Sequence, residues 1–108
     1  MRSILMAVGL CLFVAASAGA QDAKAKGAQL FVDQKCSLCH SIAGKGNAKG
    51  PLDTVGAKDS ADDIRAWIVD AKTMYAKTKQ VRKPEMKQYT LAKDDVDALV
   101  AYLSSGKK

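Results

Sequence analysis

The chain has 108 residues and a net charge of +6, from 17 Lys and Arg against 11 Asp and Glu, with 48% apolar residues. That length holds one small domain and no more. The positive charge is dilute and no nucleic-acid motif accompanies it, which excludes nucleic-acid recognition and suits a surface that meets an acidic partner.

The first 20 residues read as a secretory leader. Met1-Arg2 gives a positive start, and Ile4 to Ala16 is an almost uniformly apolar run. That run is short for a membrane span, which takes about 20 residues. Ala18-Gly19-Ala20 supplies the small residues of an A-x-A cleavage site. Cleavage after Ala20 removes Arg2 as the leader's one charge and leaves residues 21–108 with net charge +5 and no span. Cys11 follows a bulky Leu10, where lipid attachment wants a small residue, and leaves with the leader. The working protein is therefore expected in the periplasm or otherwise outside the cytoplasm.

Three helices are predicted, in an all-α chain with no convincing strand. The first runs from about Ala23 to Lys35, with Asp22 at its N-cap and Ala28, Leu30 and Phe31 as an apolar stripe. Ser41 to Gly50 carries Gly44, Gly46 and Gly50 and reads as a wrapping loop. The second helix runs from about Ala61 to Thr73. Ser60 and Asp63 suit its start, and Ile64, Trp67, Ile68 and Ala71 recur at helical spacing. Met74 to Thr90 is a long basic loop broken by Pro84, and loops of this length in small domains usually serve function. The third helix runs from about Lys93 to Leu103, with Val96, Leu99, Val100 and Leu103 forming one buried face.

Between the first helix and its loop stands Cys36-Ser37-Leu38-Cys39-His40, the C-x-x-C-H signature of a c-type haem. The two thiols add across the haem's vinyl groups, and the histidine then lies under the iron as its proximal ligand. A thioredoxin-like pair would follow a strand and needs no histidine. A structural zinc site takes four ligands, and the two Cys and one His left after cleavage are one short. A second axial histidine is excluded because His40 is the chain's one histidine. Met74 and Met86 remain as thioether candidates. Met74 ends the second helix, where core packing explains it. Met86 lies amid charge, in Arg82-Lys83-Pro84-Glu85-Met86-Lys87, where an isolated apolar side chain has no evident structural task.

On these residues the chain resembles a class I, monohaem bacterial cytochrome c along essentially all of residues 21–108. The family's Gly-x-x-x-aromatic pair corresponds to Gly27 and Phe31, its Gly-Pro-Leu to Gly50-Pro51-Leu52, its Trp-bearing helix to Ala66-Trp67-Ile68, its Pro-x-Met to Pro84-Glu85-Met86, and its Leu-x-x-Tyr-Leu to Leu99-Val100-Ala101-Tyr102-Leu103. The resemblance implies a cytochrome c fold, three main helices and long loops wrapped around one haem c held by Cys36 and Cys39, its iron ligated by His40 and Met86. It further implies that the Pro51 carbonyl accepts the proximal histidine's N–H, that Trp67 belongs to the haem pocket, and that Gly27 lets the first helix cross the last near Tyr102. Two positions depart from the family. Ala92 stands where a Ser or Asp cap is common, with Thr90 as its substitute, and Ala71 stands where a proline commonly ends the Trp-bearing helix.

A His/Met iron has no vacant position for substrate, and the one histidine is spent on iron. The implied function is one-electron transfer, not enzymatic catalysis, by a monomer moving between exported or membrane redox complexes. Alternatives are a haem subunit or docking partner through which electrons enter an oxidoreductase, and a haem-based sensor. Larger redox proteins are expected to dock on a basic rim of Lys72, Lys77, Lys79, Arg82, Lys83 and Lys87.

Overall fold

A computed structural model describes residues 15–107. Residues 1–14, most of the expected leader, lie outside the described residues. The elements in order are α1 (Ala15–Asp33), a 3-10 turn (Cys36–Leu38), β1 (Ser41–Ile42), β2 (Lys45–Gly46), α2 (Val55–Lys58), α3 (Ala61–Val69), α4 (Ala71–Lys77) and α5 (Lys93–Ser104). No described helix is long and apolar enough to cross a membrane.

The core is where α1, α3 and α5 meet. Phe31, Ile64, Ile68, Val96, Leu99, Val100 and Leu103 are all buried in one cluster. The α5 residues are the ones its 3.6-residue periodicity places on one face. Where α1 crosses α5, a Cβ at Gly27 would overlap the Ala98 carbonyl and the Tyr102 Cβ. Only a glycine permits that approach. One turn on, Phe31 meets Tyr102 edge to face, with centroids 6.0 Å apart. Lys26 Nζ reaches Asp95 at 3.0 Å beside the same crossing.

Four local expectations are corrected. Asp22 is no cap, because α1 is already helical at Ala15. The alanines preceding Asp22 are the best helix formers and carry the helix through the expected cleavage point. The second expected helix is two helices. Ser60 caps α3 by accepting from Asp63 N at 3.1 Å. In an unbroken helix Lys72 N would donate to Ile68 O. Instead Ile68 O accepts from Tyr89 N at 2.9 Å and Lys72 N donates to Gln88 Oε1 at 3.0 Å. The returning segment thus splits the helix at Asp70, and α4 continues to Lys77 through residues expected in a loop. Ala71, buried as the first residue of α4, sits where proline is also tolerated. Thr90 does not substitute for a cap, since Ala92 is the N-cap position of α5 and no side chain caps the helix. Finally, the glycine-rich loop contains a two-residue hairpin. Ser41 pairs with Gly46 and Ile42 with Lys45, and the turn residues Ala43 and Gly44 have φ of 53° and 77°. Those values are the left-handed pair that a tight hairpin turn requires.

Candidate cofactor site

Helix α1 ends where Lys35 takes the left-handed region at φ 60°, and the chain turns directly into Cys36. The backbone of Cys36 then holds the motif in one turn, its carbonyl accepting from Cys39 N at 3.1 Å and His40 N at 2.9 Å. The hairpin lies beneath. Asn47 N donates to both Ser37 O and His40 O at 3.1 Å, and Asn47 Nδ2 donates to Leu38 O at 3.1 Å. A Cβ at Gly46 would overlap the His40 carbonyl. The glycines of this loop let it close tightly under the motif.

His40 is oriented by its second ring nitrogen. Nδ1 lies 3.1 Å from the Gly50 carbonyl. A carbonyl only accepts, so Nδ1 carries the proton and the Nε2 lone pair is left for a metal. Burial holds the imidazole below its usual range, against the raising effect of the Gly50 carbonyl, and the nearby Arg82 charge adds to the lowering. The ring is therefore neutral at pH 7, as ligation requires. Burial also pushes the Cys36 thiol up, while Cys39 is exposed, and no disulfide joins the two.

This corrects the expectation for Pro51. The carbonyl that holds His40 belongs to Gly50, and Pro51 is exposed and lines no part of the cavity. Ser41 N donates to Gly50 O at 3.0 Å and Leu52 N to Ser41 O at 2.9 Å. In such an extended pairing successive carbonyls face opposite sides. The register that sends Gly50 O to β1 turns Pro51 O away.

A single cavity of about 480 Å³ brings the remaining groups together. Its apolar walls come from Phe31, Leu52, Val55, Ile64, Ile68, Leu99 and Leu103, the inner faces of α1, α2, α3 and α5 and the segment before α2. Cys36, Cys39 and His40 line one side, and Pro84, Glu85 and Met86 of the late loop also line it. Trp67 is half-buried in the lining. Met74 is 7% exposed in the core and lies outside the lining. Volume and polarity are those of a small-molecule site. Two thiols, a neutral imidazole with a free nitrogen and one thioether around an apolar slot fit a covalently held haem. Cys36 and Cys39 would attach it, and His40 and Met86 would ligate its iron.

Several roles at the site carry no signal in sequence. Gly50 serves as acceptor and as open space at once. Tyr89 lines the cavity and donates to Gln34 O at 3.3 Å. Arg82, expected on the rim, is exposed, and its Nη2 also donates to the Cys39 carbonyl at 2.7 Å. Lys72, Lys77, Lys79, Lys83 and Lys87 are exposed as expected. Of these, Lys83 pairs with Glu85 at 3.3 Å and lies over Tyr75, and Lys87 lies over Tyr89.

Comparison with known proteins adds two findings. A family model described as Cytochrome c matches residues 24–107. A cytochrome c oxidase subunit 2 from Alkalihalophilus pseudofirmus is 31% identical over 91 residues, which cover 76% of this chain and 25% of that protein. The chain thus spans about a quarter of that relative's length. No solved structure matches.

Proposed function

From the premise that this chain belongs to the cytochrome c family, whose members bind haem c with its iron covalently, we propose a one-electron shuttle between larger exported or membrane redox complexes. A carrier of electrons on haem is the coarse reading that the family supports. The observation that carries the finer one is the cavity in which Cys36, Cys39, His40 and Met86 share one apolar slot.

Bound there, haem supplies a one-electron iron couple. The chain's residues decide what that couple can do. Cys36 and Cys39 fix the group covalently. His40, locked by Gly50, gives a neutral nitrogen. Met86 gives a neutral thioether, which favours the ferrous state over what anionic ligands would give. With His40 and Met86 both ligating the iron, no position would remain for oxygen, peroxide or substrate, which supports a carrier over an enzyme. The core around the slot holds both oxidation states in nearly one geometry. The leader expected over residues 1–20 supports a place outside the cytoplasm, where haem is attached.

The second reading makes the chain a haem module through which electrons enter an oxidase or another oxidoreductase. The relative named a cytochrome c oxidase subunit 2 favours it, and its identity lies within one quarter of that protein. A redox titration followed by the visible spectrum tests the carrier reading. One reversible one-electron transition is expected, with no carbon monoxide binding by the reduced protein at neutral pH. Carbon monoxide uptake by the wild type would instead favour a sensor. Copurification with an oxidase would favour the second reading.

A further inference from the structure

Arg82 makes contacts that a rim charge would not make. Its Nη2 donates to the Cys39 carbonyl at 2.7 Å. Its Nη1 lies in the space that Gly50 leaves open, where a Cβ would overlap both Arg82 and the Cys39 carbonyl. Gly50 is the residue whose own carbonyl orients His40. At the other end of the residue, the Arg82 carbonyl accepts from Tyr75 Oη of α4 at 3.0 Å. Met86 follows four residues later in the same loop. Beyond it the loop is pinned again, by Gln88 Oε1 on Lys72 N and Tyr89 N on Ile68 O.

We propose that Arg82 is a positioning residue for iron ligation, a strut that ties the Met86 loop to the Cys39–Gly50 wall and so sets where Met86 stands relative to His40. The inference rests on the His40 and Met86 reading above. The slot suits a guanidinium in particular. Arg presents a planar fork that can hold a carbonyl with one nitrogen and fill the Gly50 space with the other, which the single ammonium of Lys cannot do. A neutral thioether is a weak ligand and depends on its loop being held in place. Removing the strut leaves that loop, at its Arg82 end, with the Tyr75 bond, the Lys83 ammonium over the Tyr75 ring and the exposed Lys83–Glu85 pair. Segments tied this lightly open locally at small cost.

The test compares holoprotein of the wild type, Arg82→Ala, Arg82→Lys and the remote charge control Lys58→Ala. Three quantities are read: the far-red charge-transfer band of methionine-ligated ferric haem, the reduction potential, and carbon monoxide binding to the reduced protein. Arg82→Ala should lose most of the band, shift the potential down and bind carbon monoxide. Arg82→Lys keeps the charge without the fork and should stay closer to Ala than to wild type, while Lys58→Ala should match wild type. Amide exchange at Tyr89, whose N–H is held by Ile68 O at the end of the Met86 loop, should become several-fold faster in both Arg82 variants. An undiminished band in Arg82→Ala, or full rescue by Arg82→Lys, overturns the strut. Should the Ala variant not fold, the Lys variant decides on the same readings. If the wild type itself lacks the band, Met86 ligation is what has failed. Exchange then still decides the strut, and unchanged protection of the Tyr89 amide in the variants overturns it.

Discussion

The chain's own contacts fix His40. Its backbone closes the Cys36 turn, its Nδ1 is committed to Gly50, and burial keeps it neutral. The two methionines then divide by surroundings. Met86 lines the cavity and Met74 fills the core beside it. Met86→Ala should lower the reduction potential and let the reduced protein bind carbon monoxide. Met74→Leu should leave the spectrum unchanged and cost less than about 1.5 kcal/mol in denaturant unfolding, as a volume-conserving core swap. At this scale the motif is legible because its chemistry is local: five consecutive residues name the attachment and one ligand. The acceptor of the histidine proton is not legible. Whether Gly50 or Pro51 fills that role depends on the register of a pairing between Ser41 and a segment ten residues away, and no local pattern encodes it.

The elements follow the same division. Helix α5 and the start of α3 are legible because their apolar period and the Ser60 cap act within the helix itself. The break between α3 and α4 is not, because Gln88 and Tyr89 impose it from outside. The alanines before Asp22 conceal where α1 begins, and the hairpin is too short to show a period of two. Ser60→Ala should cost about 1 kcal/mol of stability, the usual value of an N-cap. Gly27→Leu should cost at least about 1–3 kcal/mol, the range for overpacking, since its side chain would press into the α5 backbone. A thermal melt of each variant reads the difference, and an unshifted melt for Gly27→Leu would mean that α1 and α5 do not cross closely. On α5, hydrogen bonds from Lys93 and then Arg65 hold Asp97 below its ordinary value of 3.8. A depressed carboxyl stabilises fully above its unfolded value and loses that contribution as pH falls through the folded one. Asp97→Asn should therefore flatten the acid limb of the melting temperature against pH.

For the molecule as a whole, the cavity and the core are one feature, because Phe31, Ile64, Ile68, Leu99 and Leu103 belong to both. A chain this small buries little without its occupant. Its charge also acts at this scale. Lys72, Lys77 and Lys79 make no ion pair among the described residues and lie on α4 and the turn after it, before the Met86 loop. A basic rim there would speed encounter with an acidic redox partner and orient it. The second-order rate with that partner should fall as salt rises, since exposed charges are screened beyond about 8 Å at physiological ionic strength. Lys77→Glu with Lys79→Glu should reproduce the fall, and Lys58→Glu should do so less. A salt-independent rate would point to apolar contact instead. The central claim, that the slot between Cys36, Cys39, His40 and Met86 holds a covalent haem, is tested most directly by the intact mass of the protein. It should be made in a host with haem-attachment machinery and measured after acid–acetone extraction. The mass should exceed that of the polypeptide by one haem and return to the polypeptide value in Cys36→Ser/Cys39→Ser, whereas an unmodified wild-type mass would contradict the account.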